Sequence, residues 1–121
     1  DLGVQAWASE TMPGRFGTAL PPDALAWWTA LMARTPKTTL QSYLRWVPGV
    51  DITADVPRIQ CPTLVITGDN GPLHKVDETA GWQKTIQHSE LRVIQGDGWH
   101  AGGAKPDECA AMTMEFFRRG E

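Results

Sequence analysis

One stretch, residues 91–108, constrains the fold of this chain more than any other. It opens with the apolar strand signal LRVI, continues into the glycine-rich turn GDGWH, and reaches a helix start at Pro106. His100 therefore follows the end of a strand, on a loop that its glycines allow to bend sharply. Because parallel α/β sheets hold their chemistry at the carboxyl ends of the strands, this histidine is the first candidate site residue.

A second strand signal lies upstream, in the segment PTLVIT at residues 62–67. Its continuous apolar run is typical of a fully buried strand inside a parallel sheet, and it stops at the turn residues 68–72. Helices are predicted over residues 76–86 and 106–119. The order strand, helix, strand, helix predicts one parallel β-α-β-α unit with a right-handed crossover. The last helix has an apolar side formed by Cys109, Met112, Phe116 and Phe117.

The first 50 residues carry helix signals and no strand signal. A short helix around Trp7 is expected to give way to a loop through Met12-Pro13-Gly14. A second helix begins at Pro22 and stops before Thr35-Pro36, and a third covers about residues 38–47.

Aromatic side chains crowd these helices. Neighbouring Trp27 and Trp28 cannot both face one core from a helix, so at least one of them faces a second apolar surface. Two interpretations stay open: the rings pack helices against the rest of the protein, or some of them line an apolar substrate cavity. For the second interpretation, the candidates are Trp28 and Trp46.

Composition limits the possible partners. With 121 residues, the chain is one small domain or a piece of a larger one. Its net charge of −3, with scattered basic residues, argues against nucleic acid, and no apolar run suggests a membrane span. Cys61 and Cys109 are read as reduced core thiols of a cytoplasmic protein. Because the first residue is Asp1 rather than Met, a trimmed chain or a fragment is expected.

The strand ends bring a second candidate toward His100. Loops that follow neighbouring parallel strands emerge on one edge of the sheet, so Asp69 is expected to approach the histidine. A carboxylate beside an imidazole orients a general base and stabilises its protonated form. Both residues also have plain structural explanations: His100 as a loop histidine bonded to backbone, and Asp69 as ordinary Asp-Asn-Gly turn chemistry.

The sequence gives weaker support to two other kinds of site, a dinucleotide-binding loop and a metal site. The glycines at 96, 98 and 102 superficially match a dinucleotide-binding loop, but the helix at Pro106 begins too late to hold a pyrophosphate. A metal site drawn from His74, His100, Asp69 or Asp97 has no recognisable ligand spacing, so no metal is expected. His74 and His88 are expected at the surface.

A family resemblance rests on nearly the whole chain. The segments CPTLVITGDNGP and SELRVIQGDGWHAGGAKPDECAAMTMEFF resemble the last two strands and helices of an α/β-hydrolase. The half from GVQAWASETMPGRFG to LQSYLRWVPGVDI resembles the helical lid of such enzymes, with a pattern similar to 3-oxoadipate enol-lactonase-like and esterase-like members. The resemblance implies a partial α/β-hydrolase fold, with a lid at residues 1–50 and a carboxyl-terminal β-α-β-α part at residues 51–121.

The resemblance also implies roles. His100 corresponds to the catalytic general base, and the loop at residues 68–72 is where the acid of the triad would lie. The family's usual acid position is Gly71 here, so Asp69, Asn70 or an acid from elsewhere would have to serve. No G-x-S-x-G elbow surrounds any serine of the chain, so the nucleophile is expected in an amino-terminal half that this sequence lacks.

Two functions follow from these observations. In a complete enzyme, the expected reaction is the hydrolysis of a carboxylic ester or lactone, without a cofactor. The alternative is a non-catalytic, self-associating module that keeps the fold. Two strands flanked by helices would leave open sheet edges, so the chain is expected to form a homodimer or to pair with the missing half.

Overall fold

The computed structural model describes residues 3–18 and 20–119. Eight helices and strands follow one another along these residues, and two short 3₁₀ turns lie between α3 and β1, at Val47–Gly49 and Val56–Arg58. The elements are α1 (Gly3–Phe16), α2 (Pro22–Ala33), α3 (Lys37–Trp46), β1 (Thr63–Gly68), α4 (Val76–Gln83), β2 (Ser89–Ile94), α5 (Ala101–Ala104) and α6 (Pro106–Arg119).

Strands β1 and β2 pair in parallel, with Thr63 opposite Ser89 and Gly68 opposite Ile94. The predicted β-α-β-α order is therefore confirmed, with α4 as the crossover helix. The prediction of a fully buried first strand is wrong, because the first four residues of β1 are half-buried and only the last two are buried. Within the described residues, β1 has a single neighbouring strand, so its other edge has no strand partner.

Helix α1 is longer than the sequence predicts. The segment Met12-Pro13-Gly14, expected to be a loop, lies inside the helix, so that prediction is wrong. Burial explains the difference: Ala8, Met12 and Phe16 recur every fourth residue and are buried on the side that packs against α2. Pro13 has no N–H to donate to the carbonyl oxygen four residues earlier in the helix. Because Pro13 is exposed, water can donate to that oxygen instead.

The other helices follow their sequence signals with small shifts. Helices α2, α3 and α6 match the predictions, whereas α4 ends at Gln83, before the expected boundary near Ile86. Phe117 was expected on the apolar side of α6, but it is exposed; Cys109, Met112 and Phe116 are half-buried. The apolar stripe of α6 is therefore narrower than predicted.

Most of the buried apolar side chains lie where α1 meets the carboxyl end of the sheet. Besides the α1 residues, these are Ile94 and Ala101, whereas Ile86 is buried in the turn between α4 and β2. Backbone packs directly on backbone here: a Cβ on Gly98 would lie 2.2 Å from the Arg15 carbonyl oxygen, and one on Gly68 would lie 2.1 Å from the Gly98 carbonyl oxygen. These glycines let the ends of α1 and β1 close on the histidine loop.

The two cysteines are free thiols. Cys61 was expected in the core but is exposed, because it precedes the first residue of β1; Cys109 is half-buried. None of the helices in the described residues is long and apolar enough to cross a membrane.

Candidate active site

His100 sits immediately before α5, at the end of the loop that follows β2. Its backbone N–H donates a hydrogen bond to the Arg15 carbonyl oxygen, 3.1 Å away, which attaches the loop to the last turn of α1. The imidazole packs 5.4 Å from the Phe16 ring and lies edge-on to the Trp99 ring at 6.0 Å. Neither ring nitrogen hydrogen-bonds to another described residue, so both are free to exchange protons.

The surroundings favour the neutral imidazole. Partial burial of the ring lowers the pKa of His100, and the positive charge of Arg15 lowers it further. A neutral imidazole at neutral pH has one unprotonated nitrogen, which is the state that a general base requires.

The ring of His100 faces a cavity of about 810 Å³ between the first two helices and the end of the sheet. Trp28 lines it, with its ring 5.3 Å from that of Phe16. Trp46, the other substrate-binding candidate, is 66% exposed and is not among the described residues that line this cavity. Trp27 does not face this cavity: it is 59% exposed, and its ring lies edge-on to that of Trp28, with the ring centres 4.9 Å apart.

Asp69 is hydrogen-bonded to the backbone of the loop that follows β2. One carboxylate oxygen accepts a hydrogen bond from the Gly96 N–H at 2.6 Å, and the Asp69 N–H donates to the Ile94 carbonyl at 3.2 Å. The two strand-end loops therefore meet, as predicted. No hydrogen bond joins Asp69 to His100 within residues 3–18 and 20–119, so the carboxylate holds the turn and does not orient the imidazole.

The resemblance puts the triad acid at position 71, which is a glycine here. The His74 ring lies against Gly71, and a Cβ there would be 2.8 Å from its Cε1. His74 Nε2 hydrogen-bonds to the hydroxyl of buried Thr67 at 2.9 Å. His74 was predicted at the surface and is half-buried there, because this hydrogen bond draws the ring partly into the protein.

Two charged residues near the site, Asp97 and Arg15, were not predicted to take part in catalysis. Asp97 is fully buried, and neither of its carboxylate oxygens accepts a hydrogen bond of good geometry. Burial raises the pKa of Asp97, although the nearby Gly98 amide and the charge of Lys105 oppose this rise. Arg15 also has a buried Nε without a hydrogen-bond partner. No local sequence pattern marks either residue, because the residues that bury them belong to distant segments of the chain.

Among the described residues, no group of three histidine, cysteine, aspartate or glutamate side chains is arranged to hold a metal ion.

Comparison with known proteins identifies the fold. No protein-family model matches the chain. A protein assigned as a non-heme chloroperoxidase in Synechocystis sp. is 36% identical over 92 residues, which cover 75% of this chain and 33% of that protein. A thermophilic esterase from Thermogutta terrifontis matches 94% of this chain and 43% of its own, with a TM-score of 0.83 and 21% identity. An α/β-hydrolase enzyme from a Medee basin deep-sea metagenome library matches 93% of this chain and 44% of its own, with a TM-score of 0.70 and 23% identity.

The chain has part of the α/β-hydrolase fold. Helices followed by a parallel β-α-β-α unit were predicted, and both the structure and its similarity to known α/β-hydrolases confirm this partial form of the fold. This hydrolase-fold chain spans about a third of the Synechocystis relative and less than half of either solved structure.

Proposed function

We propose that this chain is the base-bearing part of a carboxylic-ester hydrolase of the α/β type, with His100 as the general base. The observation that carries the proposal is the placement of His100. Its imidazole lies after the last strand and faces an apolar cavity, it has two free ring nitrogens, and its pKa is depressed. The esterase of Thermogutta terrifontis, which shares the fold, supports the reaction class.

The proposed chemistry needs a hydroxyl nucleophile that enters the cavity beside His100. The unprotonated ring nitrogen takes the hydroxyl proton while the hydroxyl oxygen attacks the ester carbonyl. The resulting imidazolium then returns the proton to the alkoxide leaving group, which departs as an alcohol. Water, activated by the same imidazole, releases the acid and regenerates the hydroxyl. Lactones would react in the same way, with the alcohol kept on the product.

The nucleophile is proposed to come from an amino-terminal half, either on the same natural polypeptide or on a second one. The chain itself has no G-x-S-x-G elbow. The edge of β1 that has no strand partner is where a further strand can pair. If no such half is available, we propose that two copies of the chain pair instead, and light scattering tests this: a clean monomer would contradict self-association.

A non-catalytic module is the second candidate, and the acid position favours it. Gly71 offers no carboxylate, the neighbouring space is taken by His74, and Asp69 binds the Gly96 amide. An imidazole that no acid orients is a much less effective general base. A double variant, Gly71→Asp with His74→Ala, tests this candidate, because it supplies a carboxylate and removes the side chain that crowds it.

The deciding experiment is a chimera in which this chain replaces the structurally matching part of the Thermogutta esterase. We expect the chimera to hydrolyse p-nitrophenyl butyrate and the chain alone to be inactive. His100→Ala in the chimera should lower kcat/KM by at least about 10³-fold, as expected for loss of the base. His88→Ala is the matched control, because His88 is exposed and lies at the opposite end of β2.

Three outcomes separate the candidates. Turnover that survives His100→Ala would overturn the proposed role of the histidine. A folded but inactive chimera that gains turnover in the Gly71→Asp, His74→Ala double variant would mean that only the acid is lacking. A folded chimera that stays inactive in both forms would favour the non-catalytic module.

A further inference from the structure

Strand β2 presents an edge that has no strand partner. On its other edge, the Ile94 carbonyl oxygen accepts a hydrogen bond from the Asp69 N–H at 3.2 Å. Because the backbone groups of successive strand residues point to opposite edges, those of residues 90 and 92 also face β1. The opposite edge therefore carries the N–H and C=O groups of the odd-numbered residues, Ser89, Leu91 and Val93. Within residues 3–18 and 20–119, no hydrogen bond reaches these backbone groups.

The two faces of β2 differ in their chemistry. Glu90 pairs with Arg119 of α6. Arg92 lies 3.3 Å from Glu115 of the same helix, so both strand charges are on the α6 face. The Ser89 hydroxyl instead donates to carbonyl oxygens at the end of α4, which assigns it to the other face. By the alternation of the strand, it shares that face with two half-buried apolar residues, Leu91 and Val93.

A second copy of β2 can pair with this edge in the antiparallel direction, and charge selects the register. Around a two-fold axis at Leu91, this leucine meets its own copy, and Glu90 of each chain meets Arg92 of the other. Hydrogen bonds then form between odd-numbered residues, whose backbone groups face this edge. Moving the axis to residue 90 or 92 keeps such bonds but sets like charges opposite each other, and moving it further shortens the overlap.

We propose that β2 is a dimerisation edge, on which two copies of this chain pair their β2 strands antiparallel around Leu91. Both copies use the same residues, as an isologous interface requires. The contacts between Glu90 and Arg92 fall at non-hydrogen-bonded pairs, where opposite side chains are closest. The charges are also held in place by their partners on α6. The free edge of β1 stays available for the amino-terminal half proposed above, and the pairing does not depend on His100.

Disulfide trapping on the full chain locates the edge. Cys61→Ser and Cys109→Ser first remove the two free thiols. In this background, Leu91→Cys sets a thiol opposite its own copy, at a Cα separation of about 5.5 Å that a disulfide can span, and oxidation should give a covalent dimer. Ile66→Cys is the matched control, because Ile66 is half-buried like Leu91 and its backbone faces the free edge of β1.

A charge-swapped chain tests the register. It exchanges the four charges of the network and so keeps their pairs within the chain: Glu90→Arg, Arg92→Glu, Glu115→Arg and Arg119→Glu. Sedimentation equilibrium should show that the swapped chain dimerises like the unsubstituted one. A mixed dimer would set like charges opposite each other at both contacts, so it should be at least about tenfold weaker than either homodimer. High salt should reduce this difference.

Leu91→Cys in both charge forms measures the mixed dimer, since the disulfides of the two forms differ in mass. Mixed disulfides in statistical proportion at low salt would overturn the proposed register. A chain that is monomeric at every concentration, or equal trapping by Leu91→Cys and Ile66→Cys, would overturn the proposed edge.

Far-UV circular dichroism checks that each variant is folded. If the swapped chain does not fold, the comparison of Leu91→Cys with Ile66→Cys still decides between the two edges. None of these measurements involves hydrolysis, so a failure of the esterase proposal in the chimera and a failure of the dimer edge give different results.

Discussion

The backbone amide of His100 donates a hydrogen bond to the carbonyl oxygen of Arg15, 3.1 Å away, although 85 positions separate the two residues in the sequence. This bond fixes the histidine loop to the end of α1, and it places the guanidinium and the imidazole around the same Trp99 ring. A residue of the first helix therefore contributes, after burial, to the electrostatic environment of the candidate base.

Replacing Arg15 with glutamine should raise the pKa of His100. In the unsubstituted chain, partial burial and then the Arg15 charge lower this pKa, so the ring stays neutral until the pH falls below the ordinary value for histidine. Removing the charge removes the second cause and leaves the first. An NMR titration of the imidazole Cε1–H resonances measures the change, and Arg34→Gln, an exposed substitution at the end of α2, is the control. An unchanged His100 pKa in Arg15→Gln would contradict the coupling.

Substitution of Asp69 should affect stability more than the imidazole. Asp69→Ala leaves the Gly96 N–H without its 2.6 Å acceptor and should lower the free energy of unfolding by about 1 kcal/mol. Asp69→Asn keeps a carbonyl oxygen in that position and should cost less. Urea unfolding measures both. In the same variants the pKa of His100 should stay constant, whereas a clear fall would reveal that Asp69 acts as its acid partner after all.

Gly98 should tolerate no side chain. An added Cβ would lie 2.2 Å from the Arg15 carbonyl oxygen, which belongs to rigid helix backbone and cannot move aside cheaply. Gly98→Ala should therefore lower the free energy of unfolding by about 2 kcal/mol or more. Gly102→Ala is the matched control, because a Cβ at Gly102 meets nothing within 4 Å. Similar thermal unfolding midpoints for the two variants would contradict the close packing of α1 on the histidine loop.

Asp97→Asn should stabilise the protein at neutral pH. Burial raises the pKa of Asp97 in the folded state, so between the unfolded and folded pKa values the native state binds more protons than the unfolded chain. Stability therefore falls as the pH rises through that window and stays lower above it. Removing the ionisable group should raise the free energy of unfolding at neutral pH, and this gain should shrink toward pH ~4.

Denaturant unfolding at several pH values measures the Asp97 effect. Asp107→Asn is the comparison variant, because Asp107 is exposed in the first turn of α6 and should give no gain. A stability difference between Asp97→Asn and the unsubstituted chain that does not vary with pH would contradict the assignment of the effect to the charge.

Several features of this chain could be predicted from its sequence because they depend on neighbours along the chain. The apolar run PTLVIT, the turn residues after it and the glycine loop before His100 locate two parallel strands and the point where each ends. Pro22 and Pro106 mark helix starts for a local steric reason, since proline is pre-organised for the first helical turn. The placement of His100 at a strand end follows from these signals.

Features that depend on distant contacts could not be predicted. Local signals stop α1 at Met12-Pro13-Gly14, but burial of Met12 and Phe16 against α2 extends the helix to Phe16. The sequence allows Asp69 to serve either as a turn former or as a catalytic acid, and the approach of the Gly96 amide decides for the turn.

The sequence alone thus determined the order of the elements and the strand end that carries His100, because hydrophobic periodicity and glycine and proline stereochemistry act over a few residues. Only the tertiary structure decided what surrounds that histidine. Arg15, Trp99 and the buried Asp97 acquire their properties from segments far apart in the chain, and desolvation and charge proximity have no signature in local sequence.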